Sequence, residues 1–243
     1  MARPTPTYPS PSFAKRVLTI VGGYGSGKSE VAVNLARQLA LTGGKPVAIA
    51  DLDIVNPYFR SREATRQLSE LGIQSIHPTG GLAHADLPII LPEVRGAMEQ
   101  FGGTLILDVG GDDVGARVLG SLADAVPADD YELLLVLNAH RPFTATVAGC
   151  RALMAKIEAT SRLAFTGIIS NTHMLEHTTV ETIREGLRLA RALAADTGLP
   201  IAFVAALEDQ VRQINPEEID VPVLMLDRLL LKPWERPSRR PGG

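Results

Sequence analysis

The chain alternates short apolar, β-branched runs with stretches in which apolar residues recur at helical spacing. The runs fall at residues 17–21, 46–50, 74–77, 104–108, 133–137, 164–170, 201–204 and 221–224. Several are almost wholly apolar, as strands covered on both faces of a parallel sheet must be. Between them Val31, Leu35 and Leu39 form one helical row, while Val147, Leu153 and Ile157 fall roughly on another face. Ile183, Leu187, Leu189 and Leu193 recur similarly before Gly198 and Pro200 close the helix. Strand–helix alternation with short connections predicts an α/β fold, a mostly parallel twisted sheet with helices on both sides.

The ends of the chain break this rhythm. Residues 1–14 hold Pro4, Pro6, Pro9 and Pro11 and read as a flexible, proline-rich lead-in, since proline suits neither a helix interior nor a central strand. Residues 232–243, with Pro233, Pro237 and Pro241, read as a flexible tail. Residues 15–231 contain no internal repeat and no shift in composition, so they are expected to form one domain.

Composition narrows the function classes. At 243 residues, 45% hydrophobic and 21% charged, the chain has the balance of a soluble globular domain. A net charge of −3 provides no general pull toward nucleic acid or an anionic membrane. No apolar run approaches the ~18 residues a membrane span needs, and the first residues lack the apolar core of a signal peptide. Cys150 is the sole cysteine, which excludes an internal disulfide and a four-cysteine metal site. Its small neighbours Ala148, Gly149 and Ala152 suggest a buried helical residue rather than a reactive thiol. A cytoplasmic protein with no nucleic-acid partner and no membrane segment is expected.

In sheets of this kind ligands bind beyond the carboxyl ends of the strands. The first strand runs into Gly22-Gly23-Tyr24-Gly25-Ser26-Gly27-Lys28-Ser29, a match to G-x-x-x-x-G-K-[ST]. Glycines let the backbone curl until several N–H groups point at one phosphate. Lys28 then supplies a mobile cation for the β- and γ-phosphates, and the Ser29 hydroxyl is a hard oxygen ligand for Mg²⁺. A helix beginning near Lys28 turns its positive end toward the same phosphates. The predicted fold is therefore a P-loop NTPase three-layer sandwich, with nucleotide and Mg²⁺ as cofactors.

Other strand ends carry polar residues. Asp51 and Asp53 follow the second strand, within reach of Mg²⁺ or an attacking water, and Asn56-Pro57 reads as the start of a helix. Arg60 and Arg62 suit phosphate or a partner, and Arg60 equally suits Glu63 on a helix face. Asp108 closes the fourth strand as a carboxylate that can hold a Mg²⁺-bound water. Gly111, in the D-x-x-G pattern, leaves its backbone free to sense a γ-phosphate, and Asp112 reads as the cap of the next helix. Asn171 ends the sixth strand with an amide able to read a purine edge. The guanine-reading pattern N-K-x-D would need Lys and Asp where Thr172 and Met174 stand, which favours ATP over GTP. His140 and Arg141, ahead of a helix starting near Pro142, suit a substrate contact but read more readily as surface residues. Residues 78–92, with Gly80, Gly81, His84 and Asp86, read as a loop near the site. His84 has no cysteine or histidine beside it at ligand spacing.

Taken together, the 22–29 loop, Asp51-Leu52-Asp53, Asp108-x-x-Gly111 and Asn171 resemble the MinD/ParA-type branch of P-loop NTPases, of the SIMIBI class, over residues 15–226. That branch also holds CobQ/CobB-like domains, dethiobiotin synthetase and metallochaperone ATPases. The resemblance implies that Asp53 orients the attacking water, that Asp108 supports Mg²⁺ and that Asn171 contacts adenine. It places residues 205–209 near the base. The dimerising members carry a lysine at the second loop position, where this chain has Gly23, so the implied homodimer loses its trans-acting lysine. Three functions follow: an ATPase switching a partner-binding surface, an ATP-dependent enzyme acting on a small carboxylate, or a non-hydrolysing nucleotide-binding regulator. The partner is accordingly a protein or a small-molecule substrate.

Overall fold

The computed structural model describes residues 8–42, 44–53, 62–76, 87–111 and 113–228. Its eight strands are β1 (Val17–Val21), β2 (Val47–Leu52), β3 (Ile73–Ile76), β4 (Thr104–Val109), β5 (Tyr131–Leu137), β6 (Gly167–Ser170), β7 (Ile201–Leu207) and β8 (Val223–Leu226). They form one sheet in the order β3-β2-β4-β1-β5-β6-β7-β8, and every adjacent pair is parallel. The helices are α1 (Lys28–Thr42), α2 (Arg62–Glu70), α3 (Leu87–Gln100), α4 (Asp113–Leu122), α5 (Val147–Ser161), α6 (Val180–Thr197) and the short α7 (Glu208–Val211).

Strand parity decides which helices each side chain meets. Val17, Val21, Leu105, Leu107, Leu133 and Leu135 face a core shared with α3, α4, α5 and α6. Leu18, Ile20, Ile106, Leu134 and Val136 face the opposite core, built on Val31, Leu35 and Ala36 of α1 and Leu68 of α2. A third cluster joins Ile183 and Leu187 of α6 to Val204, Val211 and Val223. Parity also orients the strand-end carboxylates. Asp108 shares the register side of Ile106, and Asp51 that of Ile49, so both fall on the α1 face.

Several expectations change. The loop expected over 78–92 is helical from Leu87 onward. Pro88 lies in the first turn, where the missing N–H has no intrahelical partner to lose, and the exposed Pro92 forgoes one bond. Fully buried Val94 and Met98 then anchor α3 on the sheet. The helix expected near Pro142 begins instead at Val147, where the Thr146 hydroxyl accepts the Gly149 N–H at 3.1 Å. Residues 8–14, read as loose, pack on the domain. The Tyr8 hydroxyl donates to the Ile214 carbonyl at 3.2 Å, the Pro9 carbonyl accepts from Val223 N–H, and Phe13 meets Phe203 edge-to-face. Cys150 is buried on α5, and burial raises its thiol pKa to about 11. The features expected at Asn56-Pro57, Arg60, Gly80, Gly81, His84, Asp86 and Asp112, and the 232–243 tail, lie outside the described residues. Among the described residues no helix is long and apolar enough to cross a membrane.

Candidate functional site

The phosphate loop leaves β1 at Val21 and enters α1 at Lys28, so its curl is bounded by a buried strand and a helix. Gly25 and Gly27 take left-handed φ values of 72° and 86°, a region that costs a side-chain-bearing residue free energy. Ser26 N–H donates to Gly23 O, and Val31 N–H to Gly27 O, closing the turn and starting the helix. Tyr24 stands at the tip, 71% exposed, whereas Ser26 is fully buried and its hydroxyl has no partner. Phe143 packs beside Gly23, where an added Cβ would lie 3.4 Å from it.

The carboxylates converge on the first turn of α1. Lys28 Nζ lies 3.7 Å from Asp53 Oδ2, with both side chains nearly buried. Asp53 N–H donates to Asp51 Oδ1 at 3.0 Å, so one Asp51 oxygen is already engaged. Asp51 and Asp108 are directly paired in the β2–β4 register, which sets the two carboxylates side by side. Asp108 is fully buried, and neither of its oxygens has a hydrogen-bond partner. Burial raises its pKa to about 6, and the Asp53 charge adds to that shift. Ser29 and Lys28 stand near enough to oppose it, although the Ser29 hydroxyl completes no well-directed hydrogen bond to Asp108.

Gly111 explains why the fourth strand end needs a glycine. A Cβ there would lie 1.9 Å from the Gly22 carbonyl oxygen, so the Asp108–Gly111 turn rests directly on the phosphate loop. On the other side, Asn171 Nδ2 donates to the Ser26 carbonyl at 2.8 Å. Its Oδ1 is buried without a partner. Asn171, read from sequence as a base reader or a turn residue, braces the loop.

A cavity of about 390 Å³ runs from Lys28, Ser29 and Asp53 past Gly27 and Asn171 to Ala205, Ala206 and Leu207. Residues 205–207, the start of the 205–209 segment expected near a base, line this cavity. Arg141, His173, Asp227 and Arg228 also line it. Burial, with Arg141, Arg228 and His140 nearby, lowers the His173 pKa to about 4, so the ring is neutral at pH 7. Leu175 N–H approaches its Nδ1 at 3.5 Å, which leaves the proton on Nε2.

Sequence reading missed the clamp that holds residues 227 and 228 at this cavity. Asn34 of α1 donates from Nδ2 to Asp227 O at 3.0 Å and accepts Asp227 N–H at 2.8 Å. The available signal was a buried Asn between Val33 and Leu35 on an otherwise apolar helix face.

Four buried polar atoms without partners, on Ser26, Asp108 and Asn171, lie in and beside the phosphate loop, and Asn171 also lines the cavity. Their grouping fits a bound polyanion with its cation, because buried polar groups are ordinarily satisfied. Among the described residues no three His, Cys, Asp or Glu cluster to cage a metal. A hydroxyl plus one or two carboxylates suits Mg²⁺, which retains waters and binds chiefly through substrate phosphates.

No protein-family profile and no curated protein matches the chain. Solved structures do. The cell division protein FtsY of Thermotoga maritima is 24% identical, with a TM-score of 0.55 over 87% of this chain and 69% of its own. Chloroplast FtsY of Physcomitrella patens is 19% identical, with a TM-score of 0.54 over 85% of this chain and 64% of its own. The signal recognition particle receptor FtsY of Elizabethkingia anophelis, in complex with GDP, is 18% identical, with a TM-score of 0.51 over 85% of this chain and 63% of its own. The chain thus spans less than two thirds of the latter two. The likeness is one of fold, and the fold is that of the P-loop NTPases.

Proposed function

We propose that the chain is a Mg²⁺-dependent, ATP-binding P-loop ATPase whose nucleotide state switches a partner-binding surface, in the manner of MinD/ParA-type and metallochaperone ATPases. The observation that carries this reading is Asp108. It is a fully buried carboxylate with two unpartnered oxygens, beside Ser29 and Lys28 at the mouth of a phosphate loop. An uncompensated buried carboxylate is costly unless a cation answers it.

Each group then has a role. The loop N–H groups and Lys28 hold the β- and γ-phosphates, Ser29 and Asp108 hold the ion or its waters, and Asp53 orients the attacking water. Bound Mg²⁺ would neutralise charge developing between the β- and γ-phosphates. A switch is supported by the way both strand-end segments meet the loop: Asp53 through Lys28, and the 108–111 turn through Gly22. ATP is favoured over GTP because Thr172 and Met174 replace the Lys and Asp of the guanine-reading pattern.

Calorimetry with Mg-ATP and Mg-GTP tests the reading. Lys28→Ala is expected to abolish binding while the protein remains folded, and wild-type protein is expected to prefer ATP. Unchanged affinity in Lys28→Ala would sink the central claim.

One observation favours the small-molecule enzyme as a second reading. Gly23 lacks the trans-acting lysine and packs against Phe143. Turnover stimulated by a pool of small carboxylates, and not by a protein fraction, would select it. Tight binding without turnover under either condition would select the non-hydrolysing regulator.

A further inference from the structure

The turn that follows β5 is braced from within. Buried Asn138 accepts His140 N–H on Oδ1 at 2.9 Å and donates from Nδ2 to the His173 carbonyl at 3.3 Å. The Thr144 hydroxyl donates to Asn138 O at 2.7 Å, and Thr172 Oγ1 accepts Ala139 N–H at 3.0 Å. These bonds tie the turn to the end of β6 and project Arg141 over the phosphate loop. Its Nε donates to the Gly25 carbonyl at 2.8 Å, and Nη1 reaches back to His140 O at 3.3 Å. At Gly25 an added Cβ would lie 2.8 Å from that Nε, so the guanidinium rests on bare backbone.

Arg141 lines the cavity with Gly25, His173 and Arg228. Among the described residues Arg141 pairs with no carboxylate, whereas Arg16, Arg37, Arg95, Arg151 and Arg184 each do. A cation held rigidly in a cavity wall without an acidic partner is suited to a ligand. Its position within the cavity is defined by its neighbours. His173 adjoins Gly27, where an added Cβ would lie 3.1 Å from its Nε2, and Arg141, His173 and residues 205–207 line the same cavity.

We propose that Arg141 is a nucleoside-binding residue: with Nε tied to the Gly25 carbonyl, its guanidinium covers the ribose and base of a nucleotide whose phosphates lie in the 22–29 loop. This rests on the nucleotide-binding reading above. A planar guanidinium can donate at one edge while its face covers an aromatic ring, which the compact ammonium of a lysine does not do.

The test compares Mg-ATP with inorganic tripolyphosphate, which shares the phosphate contacts and lacks the nucleoside. Calorimetry is run on wild-type protein, Arg141→Ala and Arg141→Lys, with thermal midpoints recorded for each. ATP affinity is expected to fall about tenfold in Arg141→Ala, the loss of a desolvated cation–π contact, while tripolyphosphate affinity holds within about twofold. Arg141→Lys is expected to keep its tripolyphosphate affinity and to recover only part of the ATP loss. A parallel fall for both ligands would show that Arg141 merely shapes the loop, and no change for either would deny it any role; both overturn the proposal. Wild-type protein that binds tripolyphosphate as tightly as ATP also overturns it. Wild-type protein that binds neither ligand fails the nucleotide-binding reading itself and takes this proposal with it.

Discussion

Lys28, in the first turn of α1, and Asp53, just past the end of β2, face each other across 3.7 Å with both side chains nearly buried. That separation keeps Coulomb attraction but exceeds hydrogen-bond length, so the ammonium is held without being saturated. A nucleotide's β- and γ-phosphates offer it a stronger, multiply charged partner. Drawing Lys28 toward phosphate loosens its hold on Asp53, the last described residue before 54–61. A phosphate ligand would thus compete with Asp53 for one ammonium group.

The first prediction follows from that competition. Asp53→Asn removes a negative charge that both retains Lys28 and repels phosphate, so Mg-ATP affinity is expected to rise severalfold. The same change removes the group proposed to orient water, and turnover is expected to fall by ~10² or more. Calorimetry and a steady-state phosphate-release assay read the two effects separately. Weaker binding would refute the competition, and wild-type turnover would assign Asp53 another job.

The strand ends were legible in the sequence because parity and apolar runs survive in one dimension. All eight strands fall within a few residues of their expected positions, and β1 matches at both ends. Where bounds differ, weak β-formers are responsible: β7 continues through Ala205 and Ala206, whose propensity gave no signal. Helix α3 was hidden because Pro88 and Pro92 read as breakers, while the buried face that overrides them, Val94 and Met98, lies further along. The site divides the same way. Lys28, Ser29, Asp53 and Asp108 belong to local motifs, which the sequence displays directly. Arg141 and Asn171 act on loop carbonyls 116 and 145 residues distant in sequence, and spacing carries no record of such bonds.

Asp108 makes stability depend on pH in a direction opposite to that of a salt-bridged acid. Its folded pKa of about 6 lies above the ordinary aspartate value, so the folded state binds the proton more tightly than the unfolded chain does. Its contribution is harmless below the unfolded pKa and becomes a penalty as pH rises through about 6. Ligand-free Asp108→Asn is therefore expected to have a higher thermal midpoint than wild type at pH 7.5, a gap that closes toward pH 4. Mg²⁺ should strengthen ATP binding in wild type and much less in the variant. A midpoint difference that stays constant from pH 4 to pH 8 would refute the assignment.

Asn171 braces the phosphate loop and is proposed to read the base, and one substitution separates the two. Asn171→Asp replaces the donor facing the Ser26 carbonyl with an acceptor, so the loop loses a buried hydrogen bond and gains a repulsion. Loss of such a bond is worth about 1–3 kcal/mol, or roughly five- to a hundredfold in affinity. If the residue serves only the loop, ATP and GTP affinities fall by the same factor. If Oδ1 also reads the base, the ATP-to-GTP ratio changes as well. Paired titrations of wild type and variant measure both quantities, and an unchanged affinity for each nucleotide would remove Asn171 from the site.

Gly111 is the test of whether the 108–111 turn and the phosphate loop form one unit. An alanine Cβ there would meet the Gly22 carbonyl at 1.9 Å and the Gly23 nitrogen at 3.0 Å, and both obstacles are backbone. Neither can rotate aside, so one segment must shift bodily. Overpacking of this kind costs about 1–3 kcal/mol, which for a domain of this size lowers the thermal midpoint by roughly 2–12 °C. Because the displaced backbone belongs to the phosphate loop, nucleotide affinity is expected to fall along with stability. Gly115→Ala is a suitable control: its Cβ would meet the Gly110 carbonyl at 1.9 Å, a steric conflict of the same size on the helix side of the turn. Loss of midpoint in both variants, with nucleotide binding lost mainly in Gly111→Ala, is the expected pattern. Equal loss of binding in the two would mean that the turn acts through general stability and not through its contact with the loop.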